Sequence, residues 1–226
     1  MHSKNSGFTL IELMIVIVII AIVAAIALPN LLSARLNSNE TAAIATMRML
    51  LSAQAQFQTR SIADEDRDGL GEYGTLAEMS AAVTIRGGAT TIQPPVLSTA
   101  FRTVTVNGEV SRSGYFFKVW LPDSSGDGLG EVAGGGADPA VDSELSEVSW
   151  CAYAWPNVYE QTGIRSFYVS ARGDILTATD STYSGSGAFT NPGAALVAPG
   201  SATSMTGGIA NNATGRDGNF WLQVNN

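Results

Sequence analysis

The stretch GFTLIELMIVIVIIAIVAAIALPN, Gly7 to Asn30, places one full charge, Glu12, near the start of an otherwise apolar run. Phe8 to Leu28 is 21 residues, roughly 31 Å as a helix at about 1.5 Å per residue, which matches the hydrocarbon thickness of a bilayer. A soluble buried helix rarely runs this far without a polar interruption, so the run predicts a membrane-contacting helix. A secretory signal peptide is the rival reading: Lys4 supplies a basic region and Ala25-Ile26-Ala27 a small-x-small site. Glu12 separates the two. A carboxylate inside a spanning helix costs about 2.5–3.5 kcal/mol and marks a function with a nearby partner, whereas a signal peptide has no use for it. A shallow Glu12 that reaches headgroup water is the plain alternative.

The 226 residues bound the chain to one ordinary domain with an appendage, or to two small domains. Residues 1–60 hold Lys4, Arg35, Arg48 and Arg60 against Glu12 and Glu40, a formal +2, so a total of −8 leaves −10 for the remainder. An acidic body of this kind argues against nucleic acid as a partner. Cys151 stands alone, which excludes an intrachain disulfide and makes it a small core residue of the strand-like SWCAYAW. The single histidine, His2, precedes the apolar run. A Ser/His/Asp triad, a Cys/His pair and HExxH zinc chemistry are thereby removed from the body, while carboxylate-only catalysis of the glycosidase type stays open.

The ordered motif G-F-T-L-I-E, followed by an apolar run ending at Pro29, resembles the amino-terminal signature of type IV pilins and type II secretion pseudopilins. The likeness covers roughly residues 4–60. It implies that MHSKNSG, residues 1–7, is a leader cut between Gly7 and Phe8 by a prepilin peptidase, which also N-methylates Phe8. It further implies that Glu12 faces the charged amine on Phe8 of a neighbouring subunit while a filament grows from the membrane. Methylation keeps that amine charged, and a low-dielectric site strengthens the attraction. Desolvation opposes the gain, so the pair acts on register more than on affinity. The basic residues flank the span on both sides and choose no orientation. The resemblance supplies one: a single pass in the bacterial inner membrane with the head outside the cytoplasm, then extraction into a periplasmic or extracellular filament. The partners it implies are copies of the same chain, the prepilin peptidase, an inner-membrane assembly platform and an assembly ATPase.

Pro29 lacks an amide proton and clashes with the preceding turn, which predicts a bend or loosening around Ala25 to Pro29. Beyond it, LLSARLNSNETAAIATMRMLLSAQAQFQT contains no glycine or proline, so helix resumes. Ile44, Met47, Leu50, Leu51 and Phe57 form one apolar stripe, with Arg48, Gln54 and Gln58 largely outside it. The expected fold class is α+β and type IV pilin-like: a long N-terminal helix, kinked near Pro29, packed on an antiparallel β-sheet head. The expected division is residues 8–29 as the transmembrane or filament-core half of the helix, 30–62 as its amphipathic half, 63–180 as the globular head, and 181–226 as a tail.

Asp64, Asp66, Asp68 and Gly69 fit the D-x-D-x-D-G opening of a calcium loop. The EF-hand pattern then fails, because its twelfth position is Thr75, although Glu72 occupies the ninth. The echo DGLGE recurs in PDSSGDGLGEV and offers Asp123, Asp127 and Glu131 as a second oxygen-rich loop. Calcium at either loop is one reading and solvated acidic turns the other. FRTVTV, Asn107-Gly108 and EVSRSGYFFKVWLP predict a hairpin, with SEVSWCAYAWP and GIRSFYVSA as further strands and Arg172-Gly173-Asp174 as a turn. Trp120, Trp150 and Trp155 are expected in the core. The tail, Ser181–Asn226, carries only Arg216 and Asp217 as charges among 46 residues, a composition of surface loop or partial disorder, with NFWLQV as a closing strand.

These readings converge on a filament subunit without a catalytic role. The acidic loops and missing disulfide favour a pseudopilin acting in type II secretion, and a type IV pilin of a surface pilus, serving adhesion or twitching motility, is the alternative. The alternative of another class is a secreted binding module or carboxylate-based hydrolase with an ordinary signal peptide.

Overall fold

The computed structural model describes residues 8–224. Residues 1–7, read above as a leader, lie outside the described residues. Helix α1 spans Leu10–Thr59 and contains Pro29 in its interior without a break in the helical assignment. A bend or loosening is expected around Ala25 to Pro29, and the helical assignment there shows no interruption. Proline removes one amide donor, but strong helix formers flank it on both sides. The Asn30 side-chain amide also donates to the Ile26 carbonyl at 3.2 Å, and Ser33 Oγ donates to the Pro29 carbonyl at 3.2 Å.

The second half of α1 is the spine of the head. Its buried face runs through Ala43, Met47, Leu50, Ala53, Gln54 and Phe57 at spacings of three and four, the repeat of one helix face. Ile44 and Leu51 are only partly buried at its margin. Gln54, which the apolar pattern leaves outside the stripe, is fully buried: its side chain donates to the Gly74 carbonyl at 2.8 Å and accepts from the Gly74 amide at 2.9 Å. A primary amide satisfied at both ends can replace an apolar residue at a core position. Glu40 is buried as well, 2.7 Å from Arg165 Nε, and accepts the amides of Ile164 and Arg165.

After α1 come α2 (Leu76–Met79), a 3-10 turn (Thr99–Phe101), strands β1 (Val110–Arg112), β2 (Tyr115–Pro122) and β3 (Gly128–Gly130), and helix α3 (Ser143–Val148). Strands β4 (Cys151–Pro156), β5 (Arg165–Ser170), β6 (Ile175–Thr179), β7 (Ala213–Thr214) and β8 (Phe220–Gln223) complete the head. The order is β1-β2-β4-β5-β6-β8-β7, with β3 paired to β2, and every pairing is antiparallel. FRTVTV is not a strand. Asn107-Gly108 makes a tight turn closed by the Gly108 amide on the Thr105 carbonyl, and the hairpin forms one turn later at Ser113-Gly114, where both φ angles are positive, 49° and 77°. Two consecutive positive φ values suit the turn twist that a two-residue hairpin requires. Arg172-Gly173-Asp174 links β5 to β6 as a turn.

The sheet is buried on both faces, and alternation along the strands sorts the side chains. In β4, Ala152 and Ala154 face α1 while Cys151, Tyr153 and Trp155 face away; in β5, Phe167 and Val169 face α1 and Tyr168 faces away. Small residues under the helix let its backbone approach the sheet. Trp120, Trp150 and Trp155 are all core residues, divided between the two faces.

The second face is covered by the tail, which is a folded layer and not a loose loop. Tyr183, Phe189, Ala194, Ala195, Leu196, Ala210 and Trp221 pack on Trp120, Tyr153, Trp155 and Tyr168, and β8 pairs with β6 as the NFWLQV reading expects. The tail's two charges hold it in place. The Arg216 guanidinium donates to five carbonyls, those of Val197, Pro199, Ser201, Ser204 and Thr206. A Cβ at Gly200 would stand 2.3 Å from that guanidinium, so the residue must be glycine. Asp217 accepts from Tyr183, Trp221 and Asn219. Buried Glu109 clamps the tail elsewhere, accepting from Ser186 Oγ at 2.6 Å and the Gly187 amide at 2.8 Å.

Glu131 is buried too, and its Oε1 accepts the amides of Ala77 at 2.7 Å and Gly136 at 3.1 Å while Oε2 has no hydrogen-bond partner. Burial pushes its carboxyl from the ordinary 4.5 up to about 7, against the lowering effect of its hydrogen bonds and with a further push from Glu78. Because the folded value is raised, the folded chain holds a proton that the unfolded chain has released. Stability is therefore highest below the ordinary value and falls as pH rises towards the folded value, by at most about 3 kcal/mol. Glu131→Gln is expected to flatten this fall, measured as the difference in urea midpoint between acidic and neutral pH against the unmutated chain.

Candidate assembly site

Among the described residues, the first half of α1 packs against no other part of the chain. Phe8 is 86% exposed, and every large apolar side chain from Leu10 to Leu28 exposes 47% or more of its surface. This segment is long and apolar enough to cross a membrane. A continuous apolar surface of this extent is not stable in water and requires lipid or other apolar helices around it. The second half of the same helix packs one face in the head, so one continuous helix joins an uncovered rod to a folded body.

Glu12 sits in the first turn of that rod. Its Oε2 accepts the Thr9 amide and the Thr9 hydroxyl, both at 2.8 Å, and Thr9 Oγ1 in turn accepts the Glu12 amide at 3.3 Å. This is a reciprocal capping box that satisfies donors at the helix start. Its signal in the sequence is T-x-x-E before an apolar run. Thr9 therefore joins Phe8 and Glu12 as a residue that shapes this end. Among the described residues no cationic group lies within ion-pair reach of Glu12, so the carboxylate is capped by hydrogen bonds yet unpaired in charge. The cut expected between Gly7 and Phe8 involves a residue outside the described chain.

The acidic loops behave differently from one another. Asp64, Asp66 and Asp68 bring one carboxylate oxygen each within 4.8 Å of the others. Glu72 does not join them. It turns inward to Arg86 Nε at 2.6 Å and accepts the Glu65 amide at 2.7 Å, because a buried carboxylate next to a guanidinium is held by that charge-assisted bond. The second loop does not assemble. Asp123 accepts the amides of Ser125 and Asp127, Asp127 accepts from Ser201 and Thr203, and Glu131 reaches the amides of Ala77 and Gly136. Each acid there is committed to a different backbone or hydroxyl partner.

Comparison with known proteins finds matches to both parts of the chain. Residues 2–28 match the family described as "Prokaryotic N-terminal methylation motif", and residues 24–180 match the family described as "Protein of unknown function (DUF2950)". The chain is 48% identical over 77 residues to "Type IV major pilin protein PilA" of Myxococcus xanthus, covering 34% of each chain. It is 52% identical over 52 residues to "Type IV wide pilus major component PilA4" of Thermus thermophilus, covering 23% of this chain and 40% of that relative. The chain thus spans well under half the length of the curated relatives it matches. No solved structure matches it. The DUF2950 match spans most of the chain, whose amino end carries the methylation motif and is similar to type IV pilins, so the chain belongs to the family described as "Protein of unknown function (DUF2950)".

Proposed function

We propose that this chain is a structural subunit of a type IV pilus-like filament, anchored in the membrane by the first half of α1 before it is drawn into the filament. The observation that carries the reading is the uncovered apolar rod with an acid in its first turn, rigidly continuous with a buried spine. In the membrane, lipid covers the rod; in the filament, the rods of neighbouring copies replace lipid. Transfer between two apolar surroundings costs little, so assembly is driven by packing between rods. Glu12 then seeks the amine of a neighbouring Phe8, which a prepilin peptidase exposes by cutting after Gly7 and methylates. An inner-membrane platform and an assembly ATPase complete the proposed machinery.

Two filament types fit. The names of both relatives describe type IV pilus major components, which favours a surface pilus. The lone cysteine and the acidic loop at Asp64–Asp68 favour a pseudopilus of type II secretion. Deleting the gene separates them: loss of fibres sheared from the cell surface supports the pilus, and loss of exported enzymes with fibres intact supports the pseudopilus. If neither changes, and the mature protein begins beyond Leu28 instead of at a methylated Phe8, the filament reading fails.

A further inference from the structure

We propose that the α1-facing side of β8, around Phe220 and Leu222, seats the rod of a second copy of this chain. The inference rests on the filament reading and adds to it a contact made by the head. Leu222 is paired with Thr177 and Phe220 with Thr214. Alternation therefore puts both on the side of Ile175 and Val224, which pack towards α1, while Trp221 between them is buried under the tail. β8 is an inner strand, held by β6 on one side and β7 on the other. Its tail side is closed, yet Phe220 is 54% and Leu222 49% exposed. An uncovered aromatic ring and leucine side by side on the face of an inner strand mark a missing layer.

The dimensions of the opening fit a helix. α1 packs on β4, β5 and β6 and runs along β5, from Glu40 at Arg165 to Leu51 beside Gly173. β8 stands two strands from β5, about 10 Å at the ordinary strand spacing, and helices pack side by side at about 8–10 Å. A second helix parallel to α1 therefore fits over β8. The flank of α1 beside this space is open at both ends. Ser33 and Leu36 line one recess with Thr179, and Arg48 and Leu51 line another with Ile175 and Val224. Ser33 to Leu51 is 19 residues, and Leu10 to Leu28 of the uncovered rod is 19 as well.

Among the described residues the chain offers one uncovered apolar helix, the rod, and its own rod cannot fold back into the opening because α1 is continuous. The occupant is the rod of another copy. Rods drawn from one membrane point the same way, so that copy lies parallel to the first and is shifted along it by 23 residues, roughly 35 Å. A contact between two different surfaces of identical chains, shifted along an axis, does not close on itself and extends into a helical array. The acids at the opening leave no bare charge to face an apolar helix: Glu40 is paired with Arg165 at 2.7 Å, and Asp174 accepts from Gln223 at 3.2 Å. The head thereby supplies what packing between rods lacks. Rods that leave lipid for other rods exchange one apolar surrounding for another, whereas Phe220 and Leu222 leave water when a rod covers them, which favours extraction.

The test is cysteine cross-linking in fibres isolated from cells that make the full chain. Leu222→Cys is combined in turn with a single cysteine at each rod position from Met14 to Val23, and the fibres are oxidised. Cross-linked ladders should appear at rod positions recurring every three or four residues, one face of a helix. Leu222→Cys alone should give none, because Cys151 is buried. In a second arm, Phe220→Ser with Leu222→Ser should lower the ratio of fibre to membrane-bound subunit by roughly tenfold, as expected when two apolar side chains are lost from a contact. Both side chains are exposed in the subunit, so Tm of the full chain in detergent micelles should change by no more than about 2 °C. Normal fibres from the double serine variant, or fibres without a cross-link at any rod position, would overturn this contact and leave the filament reading standing. Cross-links from Leu222→Cys to Val106→Cys instead would assign the patch to a contact between heads, and shielding of Leu222→Cys from a water-soluble maleimide in the membrane-bound subunit would assign it to lipid; either overturns the proposal. Absence of fibres from the unmutated chain would overturn both readings.

Discussion

Glu12→Gln is expected to leave membrane insertion and helix content unchanged and to reduce assembled filaments at least tenfold, with Glu12→Ala reducing them further. The capping box separates two roles that an alanine substitution would merge. Glutamine keeps an oxygen acceptor for the Thr9 amide and hydroxyl, so the helix start survives. It loses the charge. If the carboxylate served only as a cap, glutamine would assemble normally and alanine would cost about 0.5–2 kcal/mol of helix-end stability. If it docks against a neighbour's amine, glutamine fails while Glu12→Asp recovers part of the yield. The measurement is the ratio of sheared fibre to membrane-bound subunit in cells carrying each variant. Normal fibres from Glu12→Gln would remove the docking role and leave only the cap.

Phe189→Ala is expected to destabilise the head by about 3–5 kcal/mol, the range for truncating a fully buried aromatic side chain. The ring is fully buried and lies between Tyr153 at 4.1 Å and Tyr183 at 4.2 Å, with Trp155 at 5.5 Å and Trp120 at 6.1 Å between ring centres. It belongs to the tail yet sits at the centre of the second core, so its loss opens a cavity between tail and sheet. Val106→Ala, at a side chain 82% exposed, should change stability by no more than about 0.5 kcal/mol. Urea unfolding followed by tryptophan fluorescence reads both. A small effect of Phe189→Ala would mean that the tail is a flap and the second face of the sheet is covered weakly.

The tail is the part of the fold that composition concealed. Glycine, serine, threonine and asparagine predominate from Ser181 onward, and low apolar content ordinarily means that a segment cannot offset its ordering entropy. Here a few large residues, Tyr183, Phe189 and Trp221, meet a sheet face already rich in aromatic rings. The need for a cover was legible elsewhere. CAYAWP is apolar at every position, and a strand apolar on both faces requires a layer on each side. Only one layer was assigned to α1, which left the tail as the remaining chain. Arg216 and Asp217, which look like stray surface charges, are the cross-links that fold the loops on top.

The helix shows the opposite balance. Its existence, length and buried stripe follow from periodicity and from the absence of glycine, and Met47, Leu50 and Phe57 are buried as the spacing predicts. Gln54 reads as surface because no local pattern reveals that Gly74 will satisfy both ends of its amide. Pro29 reads as a bend or loosening because the penalty of one missing donor is local, while the helix formers on either side act together to keep the assignment continuous.

By itself, the sequence determined the uncovered rod, the acid in its first turn with the threonine that caps it, the α+β class and the aspartates that converge within one loop. All of these depend on contacts a few residues apart, where backbone geometry dictates who can meet whom. Only the tertiary structure decided which distant acids find a cation and which find backbone amides: Glu72 goes to Arg86, and Glu131 to the amides of Ala77 and Gly136. Charges attract or repel whatever the chain does, but their separation is set by how the layers stack, and no periodicity carries that information.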